Sequence, residues 1–167
     1  MRTFLALILF SVSIWTSPLF AEYCTVNVES NSPSCNFRTK LTAKDAQIIV
    51  SHNQQGWTLT VKILLKEFAM IAGDSTVETK EGEVYNLEYV STNRDIAPRR
   101  KWKESAVYLV SESTLRELGK AKGKLLFLLA AEDPKELKVK FGSGTFEDID
   151  AFIAETRSVL GDQFQAE

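Results

Sequence analysis

Apolar and polar residues alternate with a period of two along several stretches of this chain, and that period is typical of β-strands with one buried face. The clearest stretch is GWTLTVKILLKEF, residues 56–68. Its core-facing positions share odd numbers: Trp57, Leu59, Val61, Ile63 and Leu65. The apolar parity then changes at Phe68. Because a strand cannot exchange its faces without a bulge or a break, we predict an irregularity near Lys66 or Glu67.

Further strands are predicted on both sides of this stretch. Upstream, DAQIIV leads into the polar segment SHNQQG, which predicts a hairpin with the strand that begins at Trp57. Downstream, four more segments have strand character, and in chain order they are 82–90, 105–110, 124–130 and 135–141. The second and third of these are almost continuously apolar, which is typical of strands that are covered on both faces.

Two segments have apolar residues at helical spacing. TLRELGKAK, residues 114–122, has Thr114 and Glu117 at the spacing of a capping box, and Gly123 follows as a stop signal. TFEDIDAFIAETRSVL, residues 145–160, has an apolar stripe and acidic residues in its first turns. This order of elements predicts an α+β fold. We expect a largely antiparallel sheet of hairpins, a short crossing helix, and a C-terminal helix packed on one face.

The leader MRTFLALILFSVSIWTSPLFA, residues 1–21, has the order of positive charge, apolar run and small residue that is typical of a secretory signal peptide. A membrane anchor needs roughly 20 apolar residues, whereas polar residues and a proline interrupt this run. A lipoprotein signal would place a small residue before Cys24, but Tyr23 stands there. We therefore expect cleavage after the leader. Residues 22–167 should then form a single soluble domain, periplasmic or secreted, without a transmembrane span.

The chain has two cysteines, Cys24 and Cys35, and they enclose ten residues of turn-prone composition. In an oxidising compartment an even pair at this separation predicts a disulfide. Closing so short a loop stabilises the fold by about 3 kcal/mol, mostly by restricting the unfolded chain. A redox role would place the thiols two residues apart, and zinc would require more ligands than one histidine supplies. We expect a structural bond and no metal or other cofactor.

Charge is unevenly distributed along the chain. It has 20 basic and 22 acidic side chains, for a formal net charge of −2, whereas a general nucleic-acid binder would be basic. We therefore expect no nucleic-acid partner. Residues 94–103 nevertheless carry five cations and one carboxylate. The predicted ligand-binding residues in this segment are Arg94, Arg99, Arg100, Lys101, Trp102 and Lys103.

The cations of residues 94–103 are suited to phosphate, carboxylate or an acidic protein surface, and arginine offers bidentate geometry. Trp102 adds an apolar or stacking contact beside them. The alternative is a solvated loop between two strands, in which Trp102 turns inward as the first core residue of the next strand. Both interpretations are consistent with the sequence.

Other candidate sites have simpler interpretations. His52 lies in a predicted turn, and no local signature marks an activated nucleophile for it to serve. The acidic residues Glu147, Asp148 and Asp150 suit the N-terminus of a helix, so they do not require a metal ion. The segment 142–144, Gly-Ser-Gly, lacks the spacing of a nucleotide-binding loop and is interpreted as the turn before that helix. We predict no catalytic residue.

The lack of a recognisable catalytic constellation favours an exported, non-catalytic binding module. Its expected partner is a protein or an anionic ligand in the cell envelope. Two alternatives remain open. One is a secreted hydrolase that uses dispersed carboxylates, because such pairs leave no local motif. The other is a peripheral protein that binds anionic lipid through residues 94–103.

Overall fold

Within the residues that the structure describes, the fold has nine antiparallel strands and two helices. The structure, a computed structural model, describes residues 23–27, 32–42, 45–67, 69–97, 101–132 and 136–161. The strands are β1 (Cys24–Asn27), β2 (Ser32–Arg38), β3 (Gln47–Asn53), β4 (Gly56–Leu65), β5 (Ser75–Glu78), β6 (Val84–Ala97), β7 (Lys101–Leu109), β8 (Leu125–Ala130) and β9 (Glu136–Phe141). The helices are α1 (Glu112–Lys120) and α2 (Ile149–Leu160). The predicted signal peptide lies outside the described residues.

The strands form one sheet in the order β1-β2-β3-β4-β7-β6-β5-β8-β9, and every neighbouring pair is antiparallel. Helix α1 connects β7 to β8 and therefore crosses two intervening strands, while α2 contacts β1 and β2. The predicted α+β fold with a largely antiparallel sheet is thus confirmed. Neither helix in the described part of the chain has the length and apolar character that a membrane crossing requires.

The hairpin and the break predicted around Trp57 are confirmed. Strands β3 and β4 pair from Gln47 with Lys62 to Asn53 with Gly56. Strand β4 ends at Leu65, and the next two residues form a bend. The expectation that β7 and β8 are covered on both faces was wrong. In each of these strands buried residues alternate with half-buried ones, so one face is covered and the other is partly open, and α2 packs elsewhere, against β1 and β2.

Aromatic rings fill the core where α2 meets the sheet. Phe37 of β2 lies 5.8 Å from Phe152 of α2 and 6.1 Å from Phe146, measured between ring centroids. Trp57 of β4 adds an edge-on contact with Phe152 at 5.7 Å. Since such rings bury large apolar areas, this cluster fixes the helix on the β1–β4 half of the sheet.

Both helices begin at residues other than those predicted. The N-cap of α1 is Ser111, whose Oγ accepts the backbone N–H of Thr114 at 3.0 Å. The capping box assigned to Thr114 and Glu117 was therefore wrong, because the serine three residues earlier already satisfies that amide. Helix α2 begins at Ile149 instead of residue 145, since the residues before it form turns, one closed by Glu147 N–H donating to the carbonyl of Gly144.

Two covalent and polar links fix the start of the described chain. Cys24 and Cys35 stand opposite each other on β1 and β2, and their disulfide confirms the predicted pairing. The carboxylate of Glu155 on α2 then accepts the backbone N–H groups of Tyr23 and Cys24, both at 2.9 Å. Strand β1 is therefore attached to β2 by sulfur and to α2 by hydrogen bonds.

A buried hydroxyl pair links the middle of the sheet to β8. The hydroxyl groups of Ser75 and Tyr108 lie 3.0 Å apart, and Ser75 Oγ also accepts the N–H of Ala130 at 3.1 Å. Tyr108 is fully buried, and that burial raises the pKa of its phenol to about 12. The phenol is consequently neutral at physiological pH and acts as a core side chain with one satisfied polar atom.

Candidate functional site

The basic segment of the sequence forms the end of the β6–β7 hairpin. The four cross-strand pairs are Arg94 with Glu104, Asp95 with Lys103, Ile96 with Trp102, and Ala97 with Lys101. We call residues 94–97 and 101–103 the hairpin arm. Arg99 and Arg100 lie outside the described residues. Most of the segment is therefore paired strand, whereas a loop was the expected conformation.

One cation of the hairpin arm is used inside the fold. Arg94 Nε donates to Glu104 Oε1 at 2.5 Å. The Glu104 side chain is 0% exposed, whereas the Arg94 side chain is 26% exposed. A carboxylate taken out of water needs a counter-charge, so the guanidinium of Arg94 compensates Glu104. The charge of Arg94 is therefore already balanced by Glu104 without a ligand.

A β-bulge explains why Arg94 reaches the inner face. The register of β6 against β7 shifts between Tyr89 and Ser91. Before the shift the buried residue of β6 is Leu87, at an odd number, and after it the even-numbered Arg94 faces Glu104. A bulge exchanges the faces of a strand in this way and redirects its side chains. The alternation of β6 therefore changes phase along its length.

The other two described cations of the hairpin arm have different environments. Lys101 Nζ lies 3.7 Å from Asp45 Oδ2, and both side chains are partly exposed. Lys103 is exposed and stands opposite Asp95. Among the described residues Lys103 has no ion-pair partner within 4.0 Å. Lys103 is thus the described cation of the arm that is most available to a ligand.

An apolar row crosses three strands at the rim of the sheet, on the face opposite to Lys101 and Lys103. Trp102 stands between Leu65 of β4 and Ile96 of β6. Leu65 packs against the core and Trp102 is half-buried, but the Ile96 side chain is 67% exposed. Trp102 thus partly adopts the inward position of the alternative interpretation, and Ile96 is the exposed end of the row.

His52 does not occupy a turn. It belongs to β3, it is half-buried, and its ring centroid lies 4.8 Å from that of Trp57 in an edge-on arrangement. The acidic residues Glu147 and Asp148 are exposed, and Asp148 is the N-cap of α2 without a side-chain capping bond. Over the described ranges, no three potential metal ligands come together.

A cavity of about 930 Å³ opens where the β3–β4 turn meets the start of α1, and three carboxylates line it. Glu112 pairs with Arg116 at 3.0 Å and with Arg157 at 2.7 Å, and the hydrogen bond with Glu112 raises the pKa of Arg116. Asp74 accepts the N–H of Tyr89 at 2.8 Å. The third carboxylate, Glu88, is exposed. Two of the three acids thus have structural roles.

The sequence did not reveal a second group of cations. Arg38, Lys40 and Lys140 line one cavity of about 630 Å³, together with the Gly142–Gly144 turn. All three side chains are exposed, and none has an ion-pair partner within the described part of the chain. Arg38 and Lys40 follow each other at the end of β2, whereas Lys140 lies far along the chain on β9. Strands β2 and β9 are also well separated in the sheet order, so it is the folded structure, and no pattern in the sequence, that brings these cations to one cavity.

Comparison with known proteins adds little to this description. No known family model matches the chain, and no curated protein matches it. Among solved structures it is similar to the crystal structure of invasion associated protein b from Bartonella henselae. The two chains are 12% identical with a TM-score of 0.44, and the match covers 78% of this chain and 89% of that chain. At this TM-score the resemblance carries no argument about function.

Proposed function

We propose that this protein is an exported, soluble binding module that holds a protein partner or an anionic ligand with its hairpin arm. The observation that carries the proposal is the exposure of Ile96 beside Trp102, at the end of a hairpin whose opposite face exposes Lys103. Contact surfaces commonly combine an apolar or aromatic centre with a charged rim. Arg99 and Arg100 extend the cationic side of this surface in the sequence.

The disulfide supports export. A bond between Cys24 and Cys35 is typical of an oxidising compartment. Together with the leader sequence, it favours a periplasmic or secreted protein. Such a compartment contains acidic protein surfaces, anionic polymers and anionic lipids. The cations of the arm would attract each of these partners.

Charge reversal tests the proposal. The variant R99E/R100E/K103E leaves Arg94 with Glu104 and Lys101 with Asp45, so its melting temperature should fall only slightly, by the cost of placing residue 103 as a carboxylate opposite Asp95. The matched control is K80E/K122E/K124E, which reverses three exposed lysines away from the arm. We expect the arm variant to lose its partner in capture from envelope extracts and the control to keep it. Equal capture by both variants would remove the arm from the proposal.

The same variants separate a protein partner from a lipid surface. Clustered cations contribute about 1 kcal/mol each to binding at an anionic bilayer, and salt weakens this attraction. Flotation of the chain with phosphatidylserine vesicles, lost at high salt and lost in R99E/R100E/K103E, would assign the arm to lipid. If the chain does not float with the vesicles but is still captured specifically from envelope extracts, the partner of the arm is a protein.

A secreted hydrolase is the second candidate function, and the cavity lined by Asp74, Glu88 and Glu112 is the observation that favours it. Two carboxylates across a cleft are the usual machinery of glycoside hydrolysis. Release of reducing sugars from a panel of polysaccharides would support this function if Glu88→Gln abolished it. Activity that persists in Glu88→Gln would place the chemistry elsewhere.

A further inference from the structure

Strand β9 is an edge of the sheet. Its six residues pair with β8 from Glu136 with Ala130 to Phe141 with Leu125, and no other described strand pairs with β9. An edge strand presents a row of backbone N–H and C=O groups that another extended chain can pair with. Six residues extend about 20 Å, a typical length for such a pairing.

Two cavities lie along this edge. One, of about 390 Å³, is lined by residues 137–139 of β9, by residues 63–66 at the end of β4, and by Asp45, Ala46 and Lys101. Successive side chains of a strand point to opposite faces, so a cavity that touches three in succession lies against the edge of the strand.

The second cavity continues along the same edge. It has a volume of about 630 Å³, and it is lined by Lys140, Phe141 and Gly142, and by residues 37–42. The second cavity therefore lies between β9 and the chain that leads from β2 to β3, and the first lies between β9 and the end of β4. We call this pair of cavities the β9 seam.

The charge of the seam is positive. Six cations and three carboxylates line it, and these are Arg38, Lys40, Lys66, Lys101, Lys138 and Lys140 with Asp45, Glu147 and Asp148. Lys138 is partly balanced by Glu136 at 3.3 Å, and Lys101 by Asp45. Because Lys101 also belongs to the hairpin arm, the seam begins where the arm ends.

We propose that the β9 seam takes up an extended, acidic segment of a protein partner by strand addition to β9. This inference rests on the proposed function and names the class of partner that it requires. Main-chain hydrogen bonds to an edge supply affinity in this mode of recognition, and pockets for alternate side chains supply specificity.

The two faces of β9 define the pattern of the ligand. On the inner face Val139 and Phe141 are buried, and Phe37 and Ile63 line the same cavities. On the outer face Lys138 and Lys140 are exposed. Side chains of a docked strand meet their cross-strand neighbours on each face, so apolar residues should alternate with Asp or Glu. An acidic strand with this alternation satisfies both faces.

Selection of peptides tests the inference without knowledge of the natural partner. Random linear peptides displayed on phage are selected against the full mature chain. We expect the selected peptides to alternate acidic and apolar residues and to slow amide hydrogen exchange within residues 136–141. We also expect R38E/K138E/K140E to weaken the binding of a selected peptide about tenfold or more, while K120E/K122E, at exposed positions away from the cavities that Lys138 and Lys140 line, leaves it unchanged.

Three results would overturn strand addition. They are failure to select any linear peptide, selected peptides without acidic enrichment, and protection from exchange that spares β9. Capture from envelope extracts then separates this failure from that of the proposed function. If R99E/R100E/K103E loses the partner and R38E/K138E/K140E keeps it, the seam is wrong and the binding function stands. If both variants keep the partner, the binding function falls as well.

Discussion

Arg94 Nε lies 2.5 Å from Glu104 Oε1 across the β6–β7 hairpin. The cross-strand pair of Ile96 and Trp102 is two residues further toward the end of the hairpin. Glu104 is fully buried, so this ion pair is part of the support of the hairpin arm. A buried pair of this kind contributes little net stability compared with apolar residues, but the loss of one partner leaves an uncompensated charge. The arm should therefore depend on both residues together.

The Arg94→Met variant should lower the free energy of unfolding by about 3–5 kcal/mol, because it leaves the Glu104 carboxylate buried without its cation. The double variant Arg94→Met/Glu104→Leu should recover most of that loss, since it removes the buried charge as well. Urea denaturation of the wild type, both single variants and the double variant measures the coupling. A double variant as unstable as Arg94→Met would contradict this role for the pair.

The Glu155→Ala variant should lower the free energy of unfolding by about 1–3 kcal/mol, because it removes the carboxylate that accepts the backbone N–H groups of Tyr23 and Cys24. Hydrogen exchange of the Tyr23 and Cys24 amides should accelerate at the same time. Ser158→Ala, at an exposed position of the same helix, is the control and should change stability by less than about 0.5 kcal/mol. Unchanged exchange at both amides in Glu155→Ala would show that the carboxylate does not hold β1.

Replacement of both Cys24 and Cys35 by alanine should lower the free energy of unfolding by about 3 kcal/mol, because the unfolded chain regains the freedom of the closed loop. Native-state spectra should stay close to those of the wild type, since both residues stand on paired strands. Urea denaturation in the presence and absence of a reductant checks the effect. If the reductant destabilises the alanine variant as much as the wild type, the reductant does not act through the disulfide, and the prediction is contradicted.

Burial raises the pKa of Tyr108 from 10.0 to about 12, and this shift determines how the free energy of unfolding changes at high pH. Below pH 10 the phenol is neutral in both states and its contribution is fully present. Between about pH 10 and pH 12 the unfolded chain ionises first, so the free energy of unfolding should fall by roughly 2 kcal/mol. Tyr108→Phe removes this component, and denaturation curves over that range should show the difference. Parallel curves for the two proteins would contradict the raised pKa.

Hydrophobic periodicity was sufficient to predict the parts of the fold that depend on local sequence. From Leu59 to Ile63 the predicted alternation is preserved in the burial of β4, and the two cysteines form the predicted bond. The start of α1 was misjudged because Ser111 and Thr114 both have capping side chains, and only the backbone geometry shows which of them caps the helix.

The candidate sites depend on contacts between distant residues, which periodicity does not report. Arg94 was grouped with the other cations because Glu104, its partner across the hairpin, follows it by ten residues. The register shift at Tyr89 decides that the two meet, and no local residue pattern marks that bulge. Likewise Arg38 and Lys140 are far apart in the chain, and they line one cavity only because the ends of the sheet come together.

Site-specific photo-crosslinking at residue 96 tests the central claim most directly. A photoreactive amino acid is placed at Ile96 in one protein and at Val84 in a control, because Val84 is 59% exposed and begins the same strand at its other end. After illumination of intact cells that export the protein, we predict a discrete adduct from position 96 and none from position 84. No adduct at 96, or equal adducts at both positions, would contradict a binding module that works through the hairpin arm.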